Sequence, residues 1–362
     1  MRLKAMRIYT EIIHALERKE PVVLATIIHR MGSAPREAGA KFLVKKDGSC
    51  VGSIGGGCVE AEVWQKAQKV MQTGAGSVLH FNLTAEQLAD GGLICGGNIH
   101  VFLEPLREGF LEIYREIERL RQQGGSGILA TVISVNGEYP RGEAVKVFIK
   151  PSGEKTGSLF LGEDLEQKIF KEAERFIRAK RVGVMKIGAE AGHRWKDLEI
   201  LLEPIIAEPT VYIFGAGHIS QQLAPLVKRV HFKVVVIDDR AMFANRDLFP
   251  EADEVMVTEF ERVFDQIQIN EFSYVIIVTR GHLYDGMILE KALQTDACYI
   301  GMIGSKKKIQ ILYKNLVEKG VSKVALERVH APIGLDIGSE TPEEIAISIV
   351  AQLIMKRRGR LA

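Results

Sequence analysis

Part of this chain is written twice, and that repeat limits the fold more than any other feature. At an offset of 105, eleven of the 29 positions from Ala25 to Ser53 are identical. Ala25-Thr26 recurs as Ala130-Thr131, Gly32 as Gly137, Pro35-Arg36 as Pro140-Arg141, and Lys41 and Lys45 as Lys146 and Lys150. Gly48, Gly52 and Ser53 recur as Gly153, Gly157 and Ser158. The copies also close alike, Leu103-Glu104-Pro105 answering Leu202-Glu203-Pro204 after a small deletion. Such self-similarity means one supersecondary unit used twice. Each copy reads as a strand, a glycine/proline turn, a hairpin through Asp47-Gly48 or Ser152-Gly153, a helix and two further strands. The expected result is an α/β first domain, residues 1–207, with similar halves at 20–106 and 126–206.

The copies diverge at one informative place. The first continues Gly52-Ser53-Ile54-Gly55-Gly56-Gly57-Cys58-Val59-Glu60, the second Gly157-Ser158-Leu159-Phe160-Leu161-Gly162. Scaffold needs are common to both halves, so what one half alone carries is the better candidate for chemistry. Cys58 precedes an expected helix, Val59 to Met71, and a helix amino terminus favours the thiolate. Cys95, in Asp90-Gly91-Gly92-Leu93-Ile94-Cys95-Gly96-Gly97, is a second glycine-flanked cysteine. Two such loops can grip a soft metal or a sulfido group, although their spacing is no zinc signature. Cys50 and Cys298 sit in strands and read as inert.

After Pro204 the texture changes to short apolar strands alternating with helices, the pattern of a parallel sheet. A second domain of Rossmann type is expected over residues 208–362, with strands at 211–214, 233–237, 254–257, 274–279 and 297–300. Its last helix opens at Thr341-Pro342-Glu343-Glu344 with a capping box. Phe214-Gly215-Ala216-Gly217-His218 places a dinucleotide-type glycine loop directly after a strand and at a helix mouth, where backbone amides and the helix dipole hold a pyrophosphate. Ser220 replaces the usual third glycine and is expected to loosen helix–strand packing. Asp238 has the spacing of a carboxylate that accepts ribose hydroxyls, while Asp239 and Arg240 leave NAD, NADP and other nucleotides open. Arg280-Gly281-His282 and Asp285 follow the fourth strand, and Gly301, Gly304, Ser305 and Lys306 follow the fifth, where open α/β sheets bind ligands. His282 is the candidate proton carrier there.

Composition excludes several classes. A formal net charge of +2, with one short basic tail at Lys356-Arg357-Arg358-Gly359-Arg360, calls for no nucleic-acid partner. The amphipathic segment Met1 to Lys19 is expected to be a helix, not a signal peptide, and no run reaches the ~18 apolar residues of a membrane span. Four cysteines without a CxxC pair suggest a reducing, cytoplasmic setting.

With these residues in place, the sequence resembles the XdhC/CoxI family of xanthine dehydrogenase accessory proteins. The stretches that carry the likeness are Gly32-Ser33-Ala34-Pro35-Arg36, Gly52 to Glu60, Cys95-Gly96-Gly97, Phe214 to His218, Val236-Ile237-Asp238-Asp239-Arg240, Arg280-Gly281-His282, Gly301-Met302-Ile303-Gly304-Ser305 and Gly334-Leu335-Asp336-Ile337-Gly338. The resemblance implies a chaperone that binds molybdenum cofactor (molybdopterin), assists its sulfuration and delivers it to an apo molybdenum hydroxylase. Cys58 and Cys95 would then contact molybdenum or its labile sulfur. Gly55, Gly56, Gly57, Gly215, Gly217, His218, Asp238, Asp239, Arg280, Gly301, Gly304 and Ser305 would hold the pterin phosphate or a dinucleotide, whether NAD(P) or a pterin dinucleotide. A cysteine desulfurase is a further implied partner, and a homodimer is left open. The alternative is an NAD(P)-dependent oxidoreductase using His282, Asp285 or His218 as acid or base. A redox-responsive nucleotide-binding module is a third reading.

Overall fold

A computed structural model describes residues 2–32, 36–82, 97–140, 145–159, 163–179, 181–188 and 197–361. Its contacts divide the chain into two compact units, Met1–Ala207 and Glu208–Ala362.

The first unit is a mixed α/β structure with two antiparallel five-stranded sheets. The first half contains α1 (Arg2–Glu17), β1 (Val22–Gly32), β2 (Lys41–Lys45), β3 (Cys50–Gly52), α2 (Gly57–Thr73), β4 (Ser77–Asn82) and β5 (Gly97–Leu106). The second contains α3 (Leu111–Gln122), β6 (Ser126–Val135), β7 (Val145–Ile149), β8 (Lys155–Leu159), α4 (Glu163–Ala179), β9 (Gly183–Gly188) and β10 (Asp197–Ile206). The sheets have the same order, β3-β2-β1-β5-β4 and β8-β7-β6-β10-β9.

The internal likeness reaches further than residues 20–106 and 126–206, because the leading helices belong to it. Lys45 pairs with Glu11 of α1, and Lys150 pairs with Glu116 of α3 at 2.5 Å. A Cβ on Gly52 would strike the Lys41 carbonyl and Ile8, and one on Gly157 would strike the Lys146 carbonyl and Ile113. Equivalent residues thus do equivalent work at the same offset. Tyr9 and Tyr114 meet each other, ring centroids 6.1 Å apart.

Each half also lends the other a buried charge. Lys41 of the first half binds Glu203 of the second, and Lys146 of the second binds Glu104 of the first at 2.8 Å. All four side chains are at least nine-tenths buried. Buried ions need partners, so neither half satisfies its own charges alone. Burial pushes the Glu104 carboxyl above its ordinary range, and the Lys146 ammonium draws it back only in part. For Lys41, burial acts downward, but Glu203, Tyr9 and Glu104 together offset it and the ammonium is held above its usual range.

The second unit is a six-stranded parallel sheet ordered β13-β12-β11-β14-β15-β16. Its strands are β11 (Thr210–Phe214), β12 (Lys233–Asp238), β13 (Glu254–Val257), β14 (Ser273–Ile277), β15 (Tyr299–Met302) and β16 (Val329–His330). Numbered within the unit this is 3-2-1-4-5-6, the doubly wound order of Rossmann domains. Helices α5 (His218–Arg229), α6 (His282–Leu293), α7 (Lys306–Glu318), α8 (Lys323–Glu327) and α9 (Pro342–Arg357) complete it. Two apolar cores cover the sheet, one gathering Leu223, Val227, Ile349 and Leu353, the other Ile288, Leu289, Ile309 and Leu316. Near-continuous burial of β11, β12 and β14 is what a two-sided sheet demands. Thr341 and Glu344 form the expected capping box on α9. The two-residue β16 is an addition to the five strands read from sequence.

Candidate functional site

In the first unit, the segment unique to one half forms an open loop. Gly55, Gly56 and Gly57 all have positive φ (138°, 82° and 62°), a run that only glycine tolerates. A Cβ on Gly56 or Gly57 would meet nothing within 4 Å, so the approach to the loop is clear. Helix α2 begins earlier than the expected Val59, so that Cys58 lies inside its first turn, with an exposed thiol.

The anion position of this loop is already filled. Oε1 of Glu60 accepts from the Gly56 amide (2.9 Å), the Ile54 amide (3.0 Å) and the Ser53 hydroxyl (2.7 Å). The helix thereby caps itself with its own carboxylate. Glu166 makes one corresponding bond in the second half, accepting from the Leu159 amide at 3.3 Å. That bond is common to both halves, and in sequence the first half adds three successive glycines and the cysteine. Arg36 closes the loop from the side, Nη2 donating to Ser53 Oγ at 3.4 Å, while its Nε is buried without a hydrogen-bond partner.

Cys95 lies outside the described residues, as do Gly91, Gly92 and Gly96. Cys50, read as inert, is exposed, but its thiol is pushed up by partial burial and by the carboxylates of Glu60 and Asp47. Cys298 is half-buried against the Ser273 carbonyl at 3.2 Å.

In the second unit the glycine loop is wedged between the two strands that flank β11. The Gly215 amide donates to the Ile237 carbonyl at 2.8 Å on one side. On the other side a Cβ on Gly215 would collide with the Val278 carbonyl and Thr279 Cα, and its φ is +106°. Gly217 differs. Its φ of −77° suits any residue, and a Cβ there would face open space at the mouth of α5. His218 opens that helix and is exposed. Ser220 does not loosen the packing as expected: it is fully buried and its hydroxyl donates to the Gly215 carbonyl at 2.5 Å, tying helix to turn.

Asp238 is committed to the scaffold. Its Oδ1 accepts from the Arg240 amide (3.1 Å) and Nε (2.8 Å), and its Oδ2 from the Ala216 amide (2.8 Å) and Arg240 Nη2 (3.1 Å). Four donors use the lone pairs of both oxygens. Burial pushes this carboxyl up, but the bonds from Arg240 and Ala216 outweigh it and hold it below the usual carboxylate range. Arg240, stacked on Phe243 at 4.0 Å, is occupied as well. Asp239 reaches the other way, accepting from Arg280 Nη2 at 2.8 Å.

The remaining loop residues have local tasks. Thr279 Oγ1 donates to Asp285 Oδ1 at 2.6 Å, engaging the carboxylate that the oxidoreductase reading offered as acid or base. His282 opens α6, and its side chain is outside the description. Ser305 caps α7 by accepting from the Lys308 amide. Gly301 is glycine because a Cβ would strike Ile333 and the Tyr299 hydroxyl.

One cluster escaped the sequence reading. Strand register aligns His29 of β1, His100 of β5 and His80 of β4, with ring centroids 5.0 Å and 4.2 Å apart. Burial, then His80 and His29, hold the His100 imidazole below its ordinary range. The rings are tilted and edge-on rather than convergent, and among the described residues no group of three or more His, Cys, Asp or Glu is arranged to hold a metal ion. Only the register could have revealed this row. Among the described residues no helix is long and apolar enough to cross a membrane.

Fold and loops define the class: a repeated α/β module bearing an exposed thiol on a glycine shelf, joined to a Rossmann-type domain with a glycine turn between β11 and α5. Comparison with known proteins narrows it. Residues 15–82 and 120–188 match the XdhC and CoxI family, and residues 211–353 match the XdhC Rossmann domain. The chain belongs to the XdhC and CoxI family. It is 28% identical over 345 residues to a probable xanthine dehydrogenase subunit of Bacillus subtilis, covering 95% of each protein. It is 21% identical to the molybdenum cofactor insertion chaperone PaoD of Escherichia coli, covering 95% of this chain and 86% of PaoD. A crystal structure from Bacillus halodurans, described as a xanthine dehydrogenase, superposes with a TM-score of 0.75 at 30% identity, covering 96% of each chain.

Proposed function

We propose that this protein is an accessory factor for a molybdenum hydroxylase, binding molybdenum cofactor as cargo, assisting its sulfuration and delivering it to the apo enzyme. Family membership and the likeness to PaoD support the role. The single observation that carries it is the exposed Cys58 thiol beside an open glycine shelf, in one half of a repeat whose other half has neither the three glycines nor the cysteine in its sequence. A soft sulfur with a clear approach suits molybdenum or a sulfido group. In this reading Gly55, Gly56 and Gly57 make room and Cys58 makes the contact, with Cys95 as its expected companion. The sulfur comes from a partner of cysteine desulfurase type.

The Rossmann-type unit, residues 208–362, takes the phosphate end of a pterin or nucleotide ligand at Gly217 and the amino terminus of α5. Arg280 and Asp239 line the crevice, while Gly215, Asp238, Gly301 and Ser305 hold it in shape. The protein acts in the cytoplasm, and its role is that of a carrier, not of a catalyst. The test is reconstitution of an apo molybdenum hydroxylase with cofactor-loaded protein. Cys58→Ala should recover clearly less activity than the wild type with the fold intact; full recovery would return Cys58 to a structural part.

A further inference from the structure

The Asp239–Arg280 ion pair joins the two strands on either side of the glycine loop. Strand β11 lies between β12 and β14, and Gly215 at its end touches Ile237 on one side and Val278–Thr279 on the other. Asp239 stands two residues beyond Ile237 and Arg280 one residue beyond Thr279, so their bond crosses the place where β11 gives way to α5. Among the described residues neither partner bonds to Gly215, Ala216 or Gly217. The Ala216 amide is held instead by Asp238, which also binds Arg240.

The pair is also loosely held on the arginine side. Arg280 is 39% exposed and rests on the Tyr284 ring at 5.2 Å. Its Nη2 donates to both Asp239 and the Tyr284 hydroxyl (3.4 Å), and among the described residues no hydrogen bond runs from its Nε or Nη1. A guanidinium with donors to spare, next to a helix amino terminus, is built to take a second anion. Asp239 Oδ1 is buried without a hydrogen-bond partner, and Arg240 Nε, already bonded to Asp238, stands 3.6 Å from it. Asp239 thus lies between two guanidiniums, Arg240 and Arg280, and a phosphate that takes Arg280 has to compete with it.

We propose that Arg280 is a two-position anion clamp, held by Asp239 when the crevice is empty and passed to the phosphate of the ligand when it fills. The proposal rests on the reading of the crevice as a phosphate-binding site. It adds that Asp239 is an internal competitor and that the ligand class is a pyrophosphate-bearing nucleotide, not a neutral nucleoside. Asp239 weakens binding until displaced, which favours multiply charged ligands over singly charged ones.

The experiment is calorimetric titration of the full chain with ADP, pyrophosphate and adenosine. Asp239→Asn, which keeps the shape and removes the charge, should bind ADP and pyrophosphate severalfold more tightly than the wild type. Arg280→Gln should bind them about tenfold more weakly, the worth of one charge-assisted hydrogen bond. In the double variant the gain from Asp239→Asn should vanish, because there is no longer an arginine to release. If wild type, Asp239→Asn and Arg280→Gln bind ADP equally while Gly217→Val abolishes binding, the clamp is wrong and the crevice reading stands. If neither the wild type nor Asp239→Asn takes up ADP or pyrophosphate, both fall.

Discussion

Lys146→Met should destabilise the first unit by an amount that grows with pH. Methionine keeps most of the lysine's length, so the space stays filled, while the ammonium's contacts with the Phe110 and Tyr114 rings and its bond to the Tyr114 hydroxyl are lost with the charge. The loss leaves Glu104 alone: it is 3% exposed, its Oε1 already lacks a hydrogen-bond partner, and burial already pushes its carboxyl up. Removing one member of a buried pair typically costs about 3–5 kcal/mol. Glu104 can escape part of that by taking up a proton. The folded-state pKa of the stranded carboxyl then lies further above the unfolded value of about 4.3. A group of that kind contributes stability that is complete below the unfolded pKa and lost as pH rises towards the folded one. The slope is about 1.4 kcal/mol per pH unit across that window. Urea unfolding of the full chain, followed by hydrogen exchange to separate the two units, should show a small deficit near pH 4.5 and about 3 kcal/mol or more at pH 7.5. Adding Glu104→Leu should recover most of it. A deficit independent of pH, or a double variant no better than Lys146→Met, would mean that the stranded Glu104 charge is not what destabilises the protein.

Further outcomes follow from the two loops. Gly215→Ala should destabilise the Rossmann-type unit by at least about 2 kcal/mol, because its Cβ meets the Val278 carbonyl at positive φ, whereas Gly217→Ala, facing open space, should leave the thermal midpoint unchanged within error. Asp238, whose folded pKa is depressed, should stabilise the second unit above about pH 4 and lose that contribution as pH falls through the lower folded value, so Asp238→Asn should flatten acid unfolding of that unit. Alkylation followed by peptide mass spectrometry should find Cys58 modified faster than Cys50, whose thiol is pushed up, and faster than Cys298, which is half-buried against a carbonyl.

What the sequence could tell depended on how local the signal was. Glycine punctuation and strand–loop–helix spacing placed the β11 turn and the α9 capping box, since each is decided within a few residues. The part played by the leading helices is also written in the sequence, in Ile8-Tyr9-x-Glu11-Ile12 and its echo Ile113-Tyr114-x-Glu116-Ile117, outside the glycine-marked stretch from Ala25 to Ser53. The crossed ion pairs required knowing that the two halves exchange charges, which no linear pattern states. Asp238 shows the harder limit. Spacing puts a carboxylate at the end of the second strand, yet whether it faces a ligand depends on Arg240 folding back two residues later to occupy it. The histidine row is invisible for the same reason, because register, not sequence distance, brings residues 29, 80 and 100 together.

The central claim is that this protein carries molybdenum cofactor. Native mass spectrometry with metal analysis, on protein purified from a host that makes the cofactor, tests it directly. Molybdenum and a pterin should be found at close to one per chain, with occupancy reduced by Cys58→Ala. Protein that emerges free of molybdenum while holding NAD(P) tightly would contradict it and would move the function to the Rossmann-type domain.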